Sequence, residues 1–288
     1  MNFVGIVAAL LLERALGQVP AWGEPTLLRG AVTQLRQWIK LPLLWNSWFA
    51  PFLLILPPVW LVFMVHDELA HPLYELAFST AILLVCLGPR DLATDVKRWA
   101  DARNSEDPAG AETLWRGLMR GPQPDASHRT VLGALFIQSH ERLFGVLLWF
   151  FALGPAGAAL YRLSSRLPRV LHDSAPDSQA AHTADALHGL LAWAPARITA
   201  LLYGLAGSLD DALIAWKKLL TEPHEWRSHT WAILAEVPAG SLSMEEPDGS
   251  AIVPANLQAT VDEVLRMQLR ALVILLAFFA IFTTGSII

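Results

Sequence analysis

The chain has 288 residues, of which 54% are hydrophobic and 16% are charged, and its mean hydropathy is +0.40. One soluble core of this size does not normally bury so much apolar surface, so the composition excludes an ordinary water-soluble domain and predicts an all-α integral membrane protein. The net charge of -5 provides no basic stripe for nucleic acid, and the single cysteine, Cys86, excludes an intrachain disulfide.

Three apolar segments open the chain and predict three transmembrane helices over residues 1–88. The first segment lacks the basic start and the small-residue cleavage site of a signal peptide, so we expect it to be retained. It also carries two ionisable residues, Glu13 and Arg14. The predicted spans are Phe3 to Leu16, Leu43 to Val65 and Pro72 to Leu87.

Residues 89–140 predict a first cytoplasmic helical block. Its first helix, over residues 91–103, places Val96 and Trp99 on one face and is expected to be amphipathic. A second short helix is expected from Pro108 to Met119. These helices would lie between membrane spans.

The central stretch from Leu143 to Tyr161 has no charged side chain in 19 residues. As one helix it would reach roughly 28 Å, close to the hydrocarbon thickness of a bilayer, and it is therefore predicted to be a span. Gly154, Pro155 and Gly157 predict close helix packing, because small residues admit a neighbouring helix and proline leaves a carbonyl that this helix can satisfy.

Residues 141–207 are thus expected to hold two transmembrane helices joined by a loop on the outside. The segment from Ser164 to His188 is rich in Asp, Ser, Ala and His and is predicted to be mostly loop. The apolar stretch after it, Leu190 to Gly207, contains Pro195 and Arg197. Both a span and a re-entrant segment fit this second stretch.

Residues 208–270 predict a second cytoplasmic block with helices at 209–221 and 224–237, and residues 271–288 predict the last transmembrane helix. The prediction is therefore about six spans with amphipathic cytoplasmic helices between them. Lys and Arg residues are concentrated in alternate loops, with 16 on one side and 3 in the long loop opposite. By the positive-inside bias, both termini are expected outside.

Ionisable groups within apolar spans cost about 2.5–3.5 kcal/mol each, so they are candidates for function. We predict a polar pocket in which Glu13 pairs with Arg197. The alternative for Arg14 and Arg162 is that they extend to the lipid headgroups. The predicted pocket residues are Glu13, Arg14, Tyr161, Arg162 and Arg197.

The nine histidines do not predict a metal site. Two pairs that could suggest one, His224 with His229 and His182 with His188, lack the i, i+4 spacing that places two imidazoles on one helical face. The sequence also contains no phosphate-binding glycine loop, nucleophile elbow or HExxH motif. We expect no metal, no cofactor and no catalytic residue.

Three sequence blocks carry a family resemblance. The block LLLERALGQVP at residues 10–20 contains an acid, a base, a glycine and a proline, ERLFGVLLWFFALGPAGAALYRL covers residues 141–163, and LLAWAPARITALLYGL begins at Leu190. Together they resemble the CobD/CbiB-like membrane proteins, and the central block is very similar to the AmpE branch of that family. The matching residues are Glu13, Arg14, Gly17, Pro20, Gly154 to Leu163, Trp193, Pro195 and Arg197.

The CobD/CbiB resemblance implies synthases that join an aminopropanol unit to a corrinoid acid, but several recurring acids of that branch are missing here. The corresponding positions hold Arg120-Gly121-Pro122, the run Phe136 to His140 followed by Glu141, and His188-Gly189. Losing carboxylates that would hold Mg²⁺ argues against retained synthase activity.

The AmpE resemblance implies a multi-pass regulator or sensor in the bacterial inner membrane that modulates β-lactamase induction and cell-wall recycling. It implies a lipid bilayer as partner and leaves open a cytoplasmic protein partner, an unidentified small-molecule ligand and a homo-oligomer. The alternatives are a membrane amide-forming transferase related to adenosylcobinamide-phosphate synthase and a small transporter. A transporter is disfavoured, because no internal repeat of spans is evident.

Overall fold

The structure is a computed structural model that describes residues 2–16, 30, 32–34, 45–88, 92–105, 107–119, 131–175, 178–221, 226–242 and 257–285. Every regular element in these ranges is a helix, which confirms the all-α fold class. Some predictions fall outside them, namely those on Gly17, Pro20, Arg120-Gly121-Pro122, His224 and residues 286–288, and the side chain of Arg14 is likewise not described.

The helices of the described chain are numbered here in chain order. They are α1 (Asn2–Leu16), α2 (Ala50–Asp67), α3 (Pro72–Leu87), α4 (Leu92–Asn104), α5 (Pro108–Met119), α6 (Val131–Ser139), a π-helical turn (His140–Phe144), α7 (Gly145–Ser174), α8 (Gln179–Ala206), α9 (Leu209–Thr221), α10 (Trp226–Gly240) and α11 (Leu257–Gly285). The predicted helices at 108–119 and 209–221 agree with α5 and α9 at both ends.

Side chains before the first turn fix where several helices begin. Asp107 accepts a hydrogen bond from the Gly110 amide at 3.0 Å, and Ser178 accepts one from the Ala181 amide at 3.1 Å. These oxygens satisfy amides that have no partner within their own helix. The starts of α5 and α8 are therefore set by local sequence.

Four helical stretches are long and apolar enough to cross a membrane: Ala50–Asp67, Leu132–Ser174, Gln179–Ala206 and Val261–Thr283. The described residues also form two shorter apolar helices, Phe3–Glu13 and Pro72–Leu87. Large apolar side chains such as Trp60 and Phe63 on α2 are exposed, which is the pattern of a surface that faces lipid.

The chain divides into two compact units. Unit 1 consists of residues 1–90 and 145–193. In it, α1 packs on α3, and both α2 and α3 pack on α7. Its buried cluster uses small and branched side chains from α2, α7 and α8, among them Ala50, Leu171 and Ala181.

Unit 2 consists of residues 91–144 and 194–288. Helix α10 packs on α6 and on α9, and α4 packs on α5. The α9–α10 contact buries Ala212 and Leu219 against Ile233 and Val237. Helix α10 is therefore a central element of this unit.

Helix α7 turns back on itself at Gly154, where φ is 65° and ψ is -154°. A Cβ atom added to Gly145 would overlap the ring of Tyr161, and one added to Gly157 would overlap the carbonyl of Trp149. In a straight helix, the 16 residues from 145 to 161 would extend roughly 24 Å. Since these residues touch, α7 consists of two arms, 145–153 and 155–174, that fold back against each other.

The expectation of a single helix reaching from Leu143 to Tyr161 is therefore wrong, although the stretch is apolar enough to lie in a membrane. The reason is local. Glycine adopts positive φ without the steric cost of a Cβ atom, and Pro155 next to it has no N–H to continue the helical hydrogen bonds.

The prediction of a loop from Ser164 to His188 is also wrong, because α7 continues to Ser174 and α8 begins at Gln179. The polar residues are accommodated within the helices. Ser164 and Ser165 donate to the carbonyls of Tyr161 and Arg162, at 2.8 and 3.0 Å. A serine whose hydroxyl donates to a carbonyl of its own helix does not require solvent as a partner. The polar composition of this segment was therefore a misleading sign of a loop.

Candidate functional site

A run of polar residues interrupts the apolar sequence between residues 131 and 153. It reads Gln138-Ser139-His140-Glu141-Arg142, and the first four residues are only 0–6% exposed. The last three lie in the π-helical turn, an element that occurs often at functional sites. We call the buried polar groups around it the π-turn cluster, which comprises Ser139, His140, Glu141, Thr199 and Tyr203.

His140 takes part in a hydrogen-bonded chain with α8. Its Nδ1 lies 2.9 Å from the Thr199 hydroxyl, and that hydroxyl donates to the Pro195 carbonyl at 2.8 Å. Because the single hydroxyl proton is used on Pro195, Nδ1 must donate to Thr199. In the neutral imidazole this assigns the proton to Nδ1 and the lone pair to Nε2.

Ser139, the last residue of α6, and Tyr203 of α8 form a second contact, with their hydroxyl oxygens 2.7 Å apart. Tyr203 is fully buried, and its ring packs edge-on against Phe136 and Phe144 at centroid distances of 4.8 and 5.4 Å. The aromatic contacts hold the phenol in place, so its hydroxyl is directed at Ser139.

Charged groups complete this region. The Arg142 guanidinium donates to the Asp95 carboxylate of α4 at 2.6 Å, and both side chains are mostly buried. Glu141 next to it is 6% exposed. A buried carboxylate in an apolar helical stretch is costly, which makes Glu141 a candidate for a functional role.

The predicted pocket residues fall into both units. Glu13 and Arg162 belong to unit 1, and Arg197 belongs to unit 2, half-buried and two residues before Thr199. Arg162 donates to the Leu87 carbonyl at the end of α3 at 3.1 Å. The proposed pairing of Glu13 with Arg197 stays a prediction.

Tyr161 is fully buried in unit 1. Its ring packs over Gly145 and lies edge-on to the ring of His188, with 5.9 Å between centroids. Tyr161 thus serves in the packing of the α7 arms and α8.

The glycines predicted for helix packing have a more specific geometry. Gly154 supplies a positive φ, and Gly157 leaves room for the Trp149 carbonyl of the other α7 arm. Their packing against a separate helix, together with that of Pro155, stays a prediction. Pro195 lacks an N–H for the Leu191 carbonyl four residues earlier, and the Trp149 indole donates to that carbonyl at 3.0 Å.

A polar group in unit 1 was not predicted from the sequence. His172 Nε2 lies 2.7 Å from an Asp185 carboxylate oxygen, and the His182 ring is 6.3 Å from the His172 ring. It joins the end of α7 to the start of α8. In the described residues, no group of three or more His, Cys, Asp or Glu side chains could hold a metal ion.

The π-turn cluster could have been found in the sequence. Five consecutive polar residues are flanked by the apolar runs VLGALFI and LFGVLLWFF, and this interruption is visible in the sequence. That these residues are buried follows only from their position inside one continuous helical stretch. The cluster offers a buried carboxylate, a histidine and three hydroxyls. Such groups can bind a polar ligand or accept and release a proton. Either event would change the hydrogen bonds that join α6 to α8.

The fold and the buried polar groups define the class: this is an α-helical membrane protein with ionisable side chains inside its apolar helices. The family model described as "Regulatory signalling modulator protein AmpE" matches residues 34–286. The chain belongs to the AmpE family.

Two curated relatives are similar to it. The cobalamin biosynthesis protein CobD of Chromobacterium violaceum is 27% identical over 263 residues, which cover 84% of this chain and 80% of the relative. The CobD protein of Stutzerimonas stutzeri is 31% identical over 120 residues, which cover 41% of this chain and 38% of the relative. No solved structure matches significantly.

Proposed function

We propose that this protein is a multi-pass inner-membrane signalling modulator that adjusts β-lactamase induction in step with cell-wall recycling. The observation that carries this proposal is the AmpE family match over residues 34–286. The regulatory description of that family agrees with the expectation from the sequence that acidic motifs of the synthase branch are missing. No catalytic residue or cofactor is assigned.

The proposed topology has six spans with both termini outside. In the described residues, four long apolar helical stretches and two shorter ones give the six apolar segments of this proposal. The fold-back of α7 at Gly154 argues against a single crossing by the stretch Leu132–Ser174. The distribution of Lys and Arg residues supports the orientation. In this arrangement α4, α5, α9 and α10 belong to the cytoplasmic blocks.

The π-turn cluster is the proposed place where the modulator changes state. Its hydrogen bonds link α6 to α8 through two side-chain pairs, Ser139 with Tyr203 and His140 with Thr199. A ligand or a proton that replaced one of these bonds would favour a different packing of the two helices. Arg142 and Asp95 would carry that change to α4, from which a cytoplasmic partner could read it.

The second candidate function is a membrane transferase of the CobD type. The 27% identity over most of both chains favours it. Against it, His188 replaces an acid of that branch and is fully buried beside Tyr161. A neutral or protonated imidazole in this place does not supply the carboxylate that a Mg²⁺-nucleotide would require.

The test is a gene deletion complemented with the full chain. We expect the deletion to change the level of β-lactamase after exposure to an inducing β-lactam and the wild-type chain to restore it. The variant His140→Ala should fail to restore it, whereas Asp67→Ala, at an exposed position at the end of α2, should succeed. If the chain instead supports cobalamin-dependent growth of a host that lacks CobD, the transferase is the correct function.

A further inference from the structure

Helix α9 carries an apolar stripe on its outer side. Its inner side is covered by α10, which packs against Ala212 and Leu219. About 100° away around the helix lie three exposed leucines. The half-buried Trp216 lies between the two sides, at the edge of this stripe, and also packs against the α9–α10 core. The leucines of this stripe are Leu209, Leu213 and Leu220.

In the sequence, this stripe follows directly on the exposed apolar residues of α8. Exposed apolar residues follow α8 at spacings of three and four, at Ile198, Leu201 and Leu205, and Leu209 and Leu213 extend the same spacing into α9. Only two residues, Gly207 and Ser208, separate the helices. Since α8 is one of the candidate spans, its exposed apolar side faces lipid.

The charges on α9 fit the same environment. Lys217 and Lys218 are exposed in its second half, and Lys217 lies directly beside the stripe. An apolar stripe with tryptophan at its edge and lysine beside it is typical of a helix in the interface of an anionic bilayer. Asp210 and Asp211 lie in the first turn, where the helix dipole favours negative charge.

We infer that α9 is an interfacial helix, whose stripe of Leu209, Leu213, Trp216 and Leu220 inserts into the headgroup region of an anionic lipid surface, with Lys217 on the headgroups. Helices α9 and α10 would then be held against the membrane. This inference depends on the membrane assignment but not on the signalling role.

The test compares two positions with equal exposure. Leu220 and Ile214 are both apolar and both 65% exposed, but they lie about 120° apart around α9, and only Leu220 belongs to the stripe. Leu220→Cys and Ile214→Cys are made singly in the full chain carrying Cys86→Ala and labelled with a small environment-sensitive fluorophore. The protein is reconstituted into vesicles of phosphatidylethanolamine and phosphatidylglycerol.

We expect the label at 220 to emit at shorter wavelength, to be quenched by brominated lipid and to be protected from iodide in the buffer. The label at 214 should show the opposite pattern. Adding Lys217→Glu, or replacing the lipid with phosphatidylcholine alone, should weaken the lipid quenching at 220.

Three results would overturn the inference. If iodide quenches both labels equally, α9 lies in water. If neither quencher reaches position 220, a protein surface such as a second copy of the chain covers the stripe. If lipid quenching at 220 is the same with and without phosphatidylglycerol, the lysines have no role. None of these results bears on β-lactamase induction, so the signalling proposal is tested separately.

Discussion

The indole nitrogen of Trp149 donates a hydrogen bond to the backbone carbonyl of Leu191 at 3.0 Å. This carbonyl would normally accept from residue 195, but Pro195 has no N–H to give. The donor comes from another helix, as expected for a proline inside a membrane helix. Proline in α8 and tryptophan in α7 are thus coupled, although 46 residues separate them in the sequence.

Replacing Trp149 with Phe should lower the free energy of unfolding in mild detergent by about 1 kcal/mol, because the Leu191 carbonyl loses this donor. Trp60→Phe is the control, since Trp60 is exposed on α2. Thermal unfolding followed by circular dichroism measures both variants. Equal losses in the two variants would mean that the indole hydrogen bond contributes nothing.

Gly154→Ala should cost about 2 kcal/mol, because the combination of a φ of 65° and a ψ of -154° is essentially restricted to glycine. Gly157→Ala should cost more, about 3 kcal/mol, because its methyl group would overlap the Trp149 carbonyl. Ala152→Ser, at an exposed position near the turn, should be neutral. Thermal unfolding in detergent measures the order of the three stability losses. A Gly157→Ala variant as stable as the wild type would contradict the predicted order.

The fold-back of α7 can be tested directly with cysteines at positions 148 and 160 in a chain carrying Cys86→Ala. A straight helix would hold these positions roughly 18 Å apart, beyond a disulfide. The folded arms shorten this distance, because residues 145 and 149 of one arm meet residues 161 and 157 of the other. We expect oxidation to cross-link this pair. Cysteines at positions 160 and 172, also 12 residues apart but within one arm, should not react.

The apolar periodicity and the helix starts could be predicted from the sequence, because both depend on residues close together in the chain. The turn at Gly154 could not. A Gly-Pro pair predicts a kink, but the fold-back also depends on Gly145 facing Tyr161 and Gly157 facing Trp149, which are pairings between distant residues. The same holds for His172 and Asp185, whose contact keeps a polar segment helical.

The candidate site was only partly predicted for a similar reason. Arg197 was selected because a charge in an apolar stretch is costly, and it lies two residues from Thr199 of the π-turn cluster. His140 and Glu141 were missed, because the apolar helix that contains them begins before them, at Val131. A polar residue can be recognised as lying inside a span only when the residues at which the span begins and ends are known.

The hydroxyl pair of Ser139 and Tyr203 should behave as one unit. Each single variant, Ser139→Ala and Tyr203→Phe, should cost about 1–2 kcal/mol, because one buried hydroxyl loses its partner. The double variant should cost little more than the worse single variant, since no hydroxyl is left unpaired. A double-mutant cycle of unfolding free energies measures this coupling, and strict additivity would show that the two groups act independently.

Finally, Glu13→Gln and Arg197→Gln test the predicted pocket. If these residues take part in signalling, each variant should reach the membrane in normal amounts but restore β-lactamase induction less well than the wild type, and the double variant should be no worse than either one. The physical reason is that a buried charge without its partner is destabilising, whereas removing both partners removes that cost.

Immunoblots of membranes measure the amount of each variant, and a nitrocefin assay after induction measures the β-lactamase level. Glu68→Gln, at an exposed position directly after α2, is the control and should restore induction fully. If both single variants restore induction as well as the control, Glu13 and Arg197 form no functional pocket. Glu141 and His140 of the π-turn cluster then remain as the candidate functional residues.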